Sequence, residues 1–290
     1  MFHIALSLLT PNISKAICLF FEKKGLENGS AILNNLCTCA DIILYSAIFL
    51  LPTFFIFKYT EKTESYISFK FVFPKNFILL AVTAIGCISA SGNITNVIKL
   101  LFNKIGIGFI SYSPDIPHDL LGIALLFLSS ALIPAIVEEI LFRKVILNRL
   151  IPFGKPFAVI LTALLFSLMH TNISQFLYTF TGGLFLGVIT VKSVSVIPAI
   201  VLHFLNNCLS MVYLLISEFA NGKADTAILT FDVMLGIFGI ASLYFIIQKN
   251  KATLVKNISD SFSAHRFFNV FLIGYVIYCL YLSARWIYII

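Results

Sequence analysis

Charged side chains are scarce in this sequence. Only 11% of its 290 residues are Asp, Glu, Lys or Arg, whereas about a quarter is usual in soluble domains. Hydrophobic residues make up 59%, and the mean hydropathy is +0.99. A soluble fold cannot bury that much apolar surface, so the composition predicts a chain that has lipid as its main solvent.

Several catalytic signatures are also missing. The sequence has no G-x-S-x-G elbow, no H-E-x-x-H motif and no P-loop, so serine-triad, zincin and NTPase functions lack their patterns. Its six cysteines are scattered, and C-x-C at Cys37 and Cys39 is a weak metal signal. We interpret the cysteines as small apolar residues in or near membrane helices.

Long apolar runs occur along most of the sequence. Their lengths predict an all-α polytopic membrane protein with about eight transmembrane helices. The predicted spans are 38–57, 77–94, 119–141, 156–170, 173–191, 197–217, 228–247 and 268–289. The apolar residues 2–10 are interrupted early and lack a clear cleavage site, so we interpret them as an interfacial segment. No linker separates soluble domains. We therefore expect one integral membrane domain, with N-terminal helices in 1–110, a central core in 111–217 and C-terminal helices in 218–290.

The net charge of +7 comes from basic residues placed between the apolar runs. They form no aromatic-interleaved patch, so we exclude nucleic acid as a partner. Thirteen Lys and Arg residues fall in the loops 58–76, 142–155, 192–196 and 248–267, and six fall on the opposite side. The positive-inside rule then predicts that the thirteen-residue side is cytoplasmic.

A small set of polar residues lies inside the apolar runs, where ionisable groups are costly and usually functional. Its members are Glu138, Glu139, Arg143, His170, His203 and Asn207. Glu139 and Arg143 are four residues apart on one helix face, which predicts a supporting ion pair. Glu138 is rotated by about 100° from Glu139 and can point elsewhere.

Helix rise suggests that four of these groups lie at similar depth. Glu138 and His170 are each roughly 20 Å from the turn near residues 151–155. His203 and Asn207 are roughly 10 to 16 Å from the next turn on that side. Such a cluster suits hydrolysis, because a carboxylate and an imidazole can deprotonate a water. An imidazole and an amide on one helix face can stabilise an oxyanion.

Three short motifs appear here in order along the chain. They are Glu138-Glu139-x-x-x-Arg143, Phe166-x-x-x-His170 and His203-x-x-x-Asn207. Together they resemble the three motifs of the CPBP intramembrane proteases, the group of CAAX prenyl endopeptidases and bacteriocin-processing (Abi) proteins. The resemblance covers roughly residues 119–217.

The resemblance implies an eight-helix endopeptidase that cleaves a membrane-associated protein or peptide. It implies that Glu138 and His170 activate water, that His203 and Asn207 stabilise the oxyanion, and that Glu139 and Arg143 support the site. We favour a glutamate mechanism without a cofactor. The alternative is zinc held by Glu138, His170 and His203. We expect a multi-pass protein in the plasma membrane of a bacterium, with the site open to the cytoplasm.

Two other functions stay open at this point. A non-catalytic immunity or scaffold protein would keep the same fold, and Glu138→Ala would leave its phenotype intact. A proton-coupled transporter also uses intramembrane Glu and His. A transporter would favour internal repeats with broken helices in both halves, whereas the polar residues here are concentrated in the middle third of the chain.

Overall fold

A computed structural model describes residues 13, 15–25, 30–59, 65–110, 116–259 and 270–289. The interfacial segment predicted at 2–10 lies outside these residues. In the described part, residues 15–23 are helical, and eight longer helical segments follow. They are α1 (Ala31–Tyr59), α2 (Phe77–Asn103), α3 (Leu120–Phe153), α4 (Lys155–Met169), α5 (Ile173–Ser193), α6 (Ile197–Phe219), α7 (Asp225–Ser259) and α8 (Val270–Ala284).

Six of these helices are long and apolar enough to cross a membrane: α1, α2, α3, α5, α6 and α7. Each predicted span coincides with a helix, but the count of eight spans is not confirmed. Helix α4 has 15 residues, which gives a length of about 22 Å against the roughly 30 Å of the hydrocarbon core. Helix α8 also has 15 residues and ends at Ala284. The chain is therefore a largely helical, multi-pass membrane protein.

Two short strands interrupt the helical pattern. Strand β1 (Ile107–Phe109) pairs antiparallel with β2 (Ile287–Ile289), with Gly108 opposite Tyr288. The predicted span 268–289 is thus wrong at its C-terminal end. The predicted loop 248–267 is also wrong at its start, since α7 continues to Ser259.

Contacts group the chain into two compact units. The first contains Met1–Glu64, Pro114–Val145 and Ile200–Lys223. The second contains Ser65–Ser113, Ile146–Ala199 and Ala224–Ile290. The predicted boundaries at 110 and 217 stay a prediction.

In the first unit, α1 packs against residues 120–139 of α3. Asp119 caps α3 by accepting a hydrogen bond from the Gly122 N–H at 2.8 Å, and its other partner is the Asn35 amide of α1 at 3.2 Å. These two donors, Gly122 first, lower the pKa of Asp119. Because the pKa is lowered, the ionised cap stabilises the fold fully at pH values above the ordinary pKa of a carboxyl group. This stabilisation is lost as the pH falls through the lowered pKa.

Helix α3 changes its winding twice. Residues Leu128–Leu132 and Ile140–Leu147 form π-helical turns, and Ile133–Glu139 between them is α-helical. Pro134 follows the first π turn; its ring has no N–H and would clash with a carbonyl of a regular α-helix. The wider turn accommodates the proline. The two acidic residues of the motif therefore end a short α-helical stretch between two π turns.

In the second unit, small residues let helices approach closely. A Cβ added to Gly183 would lie 3.0 Å from Cα of Ala163, and one added to Gly187 would lie 3.0 Å from Val159. These glycines pack α5 closely against α4. Helix α2 packs on α7 in the same way, since a Cβ on Gly86 would lie 2.5 Å from the Leu235 carbonyl oxygen.

In the second unit, the segment around Ile67 and Ser68 contacts both the C-terminal part of α3 and the turn at Ser195. The Ile67 N–H donates to Asn148 at 2.8 Å, and Ser68 forms a parallel bridge with Ser195. These contacts join three of the segments that we assigned to one membrane side from their Lys and Arg residues. The predicted loop 142–155 is wrong for most of its length, since α3 continues to Phe153.

The cysteine interpretation needs one correction. Cys18 and Cys37 form a disulfide, with their Cα atoms 5.8 Å apart. The two residues are 19 positions apart, and nothing in their spacing distinguished them from the other four.

Candidate active site

The polar residues of the first unit form one connected cluster. Glu138 and Glu139 end the α-helical stretch of α3, Arg143 lies in the π turn that follows, and His203 comes from α6. Their exposed fractions are 3%, 0%, 0% and 8%, respectively. Buried charges are tolerated only when they are paired, and each of these side chains has a polar neighbour in the cluster.

Glu139 lies at the centre of the cluster. Its Oε2 is 3.1 Å from Nε of Arg143, one turn further along α3. Its Oε1 is 3.2 Å from Nδ1 of His203. One carboxylate thus contacts both the arginine and the imidazole, and a carboxylate on one ring nitrogen of a histidine orients the ring.

Glu138 has a different environment. Its Oε1 accepts a hydrogen bond from the hydroxyl of Tyr45 on α1. Its Oε2 is 3.9 Å from Nε2 of His203, which is too far for a hydrogen bond. Among the described residues, that oxygen has no hydrogen-bond partner. Two atoms 3.9 Å apart can both contact one water at about 2.8 Å, so the pair has the spacing to share a water.

His203 lies between the two carboxylates. If its Nδ1 donates to Glu139, the neutral ring presents a lone pair at Nε2 and only the protonated ring can donate from there. The ring can therefore accept a proton on the side of Glu138. It can serve as an oxyanion donor only in its imidazolium form.

Asn207 and His170 complete the predicted set. Asn207 follows His203 by one turn of α6 and is partly buried. His170 belongs to the second unit, where it ends α4 as its C-cap. Its Nδ1 is 2.9 Å from the Phe166 carbonyl oxygen, and its ring packs edge-on against the Phe166 ring at 5.0 Å. The structure brings Glu138, Glu139, Arg143 and His203 together; the roles assigned to all six residues stay predictions.

The residues of the cluster do not match a zinc site. Among the described residues, no group of three or more His, Cys, Asp and Glu side chains is arranged to hold a metal ion. Glu139 is engaged by Arg143 and His203, which leaves Glu138 and His203 as the two facing donors. Two donors are fewer than the three or four protein ligands of catalytic and structural zinc sites.

Comparison with known proteins adds the decisive observation. Residues 120–209 match the model of the family described as type II CAAX prenyl endopeptidase Rce1-like. The resemblance to the CPBP proteases is confirmed. The Rce1-like segment begins with α3 and ends inside α6, and it contains all three motifs. No curated protein and no solved structure matches the chain.

Sequence reasoning missed one member of the cluster. Tyr45 lies outside the Rce1-like segment, 93 residues before its partner Glu138. A single tyrosine in an apolar run gives no local signal, because its contact with Glu138 depends on how α1 packs against α3.

Proposed function

We propose that this protein is an intramembrane endopeptidase that hydrolyses a peptide bond in a membrane-associated protein or peptide. The family matched by residues 120–209 is a protease family, and the residues that carry its motifs include the buried acid cluster. The observation that supports the proposal is the difference in hydrogen bonding between the two carboxylate oxygens of Glu138. One of its oxygens is fixed by a hydroxyl, and the other faces Nε2 of His203 without a hydrogen-bond partner among the described residues.

The proposed reaction is a general-base hydrolysis. Glu138, assisted by His170, takes a proton from a water as the water oxygen attacks the scissile carbonyl carbon. His203, in its imidazolium form, and Asn207 donate hydrogen bonds to the oxyanion that develops on the carbonyl oxygen. When the tetrahedral intermediate collapses, the C–N bond breaks and the proton passes from Glu138 to the leaving amine.

Glu139 and Arg143 have a supporting role in this mechanism. Arg143 balances one carboxylate charge across 3.1 Å, and Glu139 orients the His203 ring through Nδ1. Because the two acids are adjacent but differently partnered, one can support the site while the other reacts.

The test is cleavage by the purified protein in liposomes. A library of membrane-associated peptides, with and without a C-terminal lipid, would be screened by mass spectrometry for released fragments. Glu138→Gln and His170→Ala should each lower kcat by about 10²-fold or more, as expected when a general base is lost. The matched controls are Glu218→Gln and His118→Ala, which alter exposed residues of the first unit.

Retained cleavage by Glu138→Gln would contradict the glutamate mechanism. A strong chelator separates the zinc alternative: unchanged activity is expected, and abolition that zinc reverses would overturn the cofactor-free mechanism. The absence of cleavage by the wild type across the library would contradict the proposed function itself.

A further inference from the structure

Helix α1 contributes the one described hydroxyl that reaches the reactive carboxylate. The Tyr45 hydroxyl donates to Oε1 of Glu138, and no other hydrogen bond to Glu138 is found among the described residues. Tyr45 lies outside the Rce1-like segment. The family motifs therefore do not account for everything that holds Glu138.

Packing contacts of α1 hold Tyr45 in position. Its ring packs against Phe49 one turn further along α1, with the ring centroids 4.9 Å apart, and Phe49 is only 2% exposed. A second contact between α1 and α3 joins Asn35 to Asp119. Tyr45 thus projects from a helix that is fixed to α3 at another point.

The Tyr45 hydroxyl fixes the orientation of the Glu138 carboxylate group. The terminal torsion of a glutamate side chain is broad and lacks sharp staggered wells. A donor fixed on one oxygen sets the plane of the group and directs the second oxygen. Here the second oxygen, Oε2, is the one that faces Nε2 of His203 at 3.9 Å.

We propose that Tyr45 is a positioning residue, which fixes Oε1 of Glu138 so that Oε2 meets the attacking water. This inference rests on the proposed function. It makes a helix outside the Rce1-like segment part of the active site, and it assigns different tasks to the two oxygens of one carboxylate.

The test compares Tyr45→Phe with the wild type in the liposome cleavage assay. The phenylalanine keeps the ring on Phe49 and removes only the hydroxyl. We expect kcat to fall about 10-fold to 100-fold, the range for losing one hydrogen bond to a charged group. KM should change less than about twofold, because the hydroxyl acts on the base and not on substrate binding.

The matched control is Ser46→Ala on the same helix. The Ser46 hydroxyl donates to the Ile42 carbonyl of its own helix at 2.7 Å, so its removal should leave both kcat and KM unchanged. Thermal midpoints of both variants in detergent would verify that they fold. Full activity of a folded Tyr45→Phe variant overturns the positioning role and leaves the proposed function standing.

A second measurement does not depend on a substrate. An apolar carbodiimide modifies intramembrane carboxyl groups, and mass spectrometry measures its adduct on Glu138. Tyr45→Phe should label several-fold faster than the wild type, because the hydroxyl no longer occupies Oε1, and Ser46→Ala should label at the wild-type rate. Equal rates for all three proteins overturn the proposal. If Tyr45→Phe labels faster than the wild type but the wild type cleaves nothing, the proposed function is contradicted. The contact between Tyr45 and Glu138 is then still supported.

Discussion

Glu138 and Glu139 are neighbours in sequence with different partners. The 100° rotation between adjacent helical residues directs Glu139 toward Arg143 and directs Glu138 toward Tyr45. Both still reach His203, because its two ring nitrogens point in different directions. A pair of adjacent acids and one imidazole therefore gives two carboxylates with different partners, as the proposed division into a supporting and a reactive carboxylate requires.

The Arg143–Glu139 pair provides a stability prediction at this scale. Both side chains are fully buried, so Arg143→Met leaves a carboxylate in the interior without its cation. Breaking such a pair typically costs about 3–5 kcal/mol, and we expect a marked fall in the thermal midpoint in detergent. The exposed Lys192→Met is the control, with no change expected.

The double variant Arg143→Met/Glu139→Gln sharpens this prediction. Removing both charges should destabilise the protein less than the sum of the two single changes, which a double-mutant cycle measures. Additive effects would contradict a direct Arg143–Glu139 interaction.

Local spacing indicates which residues of the cluster can be predicted from sequence. Four-residue spacing predicts that Glu139 and Arg143 share a helix face, and they lie 3.1 Å apart. Tyr45 could not be found in this way. Its contact depends on how α1 packs against α3, and no periodicity within either helix encodes that packing.

At the scale of elements, apolar runs located the eight longer helices of the described residues but not the length of each. Hydropathy marks where lipid-compatible residues are concentrated, so all eight runs coincide with helices. It does not report where a backbone stops being helical. Helix α7 therefore extends past its apolar run to Ser259, and the last run ends in a strand that pairs with a segment far away in sequence.

The contact between α2 and α7 gives a prediction for a single glycine. A Cβ on Gly86 would lie 2.5 Å from the Leu235 carbonyl oxygen and 2.6 Å from Cα of Gly239. Backbone atoms cannot move aside as a side chain can, so Gly86→Ala must push the helices apart. Overpacking of this kind costs about 1–3 kcal/mol, and the thermal midpoint should fall.

Gly92→Ala is the control on the same helix, since no atom lies within 4 Å of its added Cβ. Alanine favours helix over glycine by about 1 kcal/mol, so this variant should match or exceed the wild-type midpoint. Equal losses at Gly86 and Gly92 would show that helix contact is not the cause.

For the whole molecule, two structural observations bear on membrane orientation besides the count of Lys and Arg. The disulfide joins Cys37, near the start of α1, to Cys18, and disulfides persist in oxidising compartments. Helix α3 begins at the same end as α1, because Asn35 and Asp119 are in contact. These observations agree with the orientation predicted from the charge distribution, in which the starts of α1 and α3 face away from the cytoplasm.

Cysteine accessibility tests this orientation directly. Lys192 lies in the last turn of α5, on the predicted cytoplasmic side, and Lys223 lies between α6 and α7 on the other side; both are exposed. In intact cells, a membrane-impermeant maleimide should label Lys223→Cys at once and should label Lys192→Cys only after permeabilisation. Peptide mapping distinguishes the new thiols from the exposed Cys39.

The reverse labelling pattern would contradict the orientation and would place the lysine-rich loops outside the cell. Reduction before labelling adds an independent check. If the starts of α1 and α3 face an oxidising compartment, Cys18 and Cys37 should resist the maleimide until a reductant is added, and a membrane-impermeant reductant should suffice. Prompt labelling of both cysteines without reductant would contradict the disulfide. The orientation would then be judged from Lys192→Cys and Lys223→Cys alone.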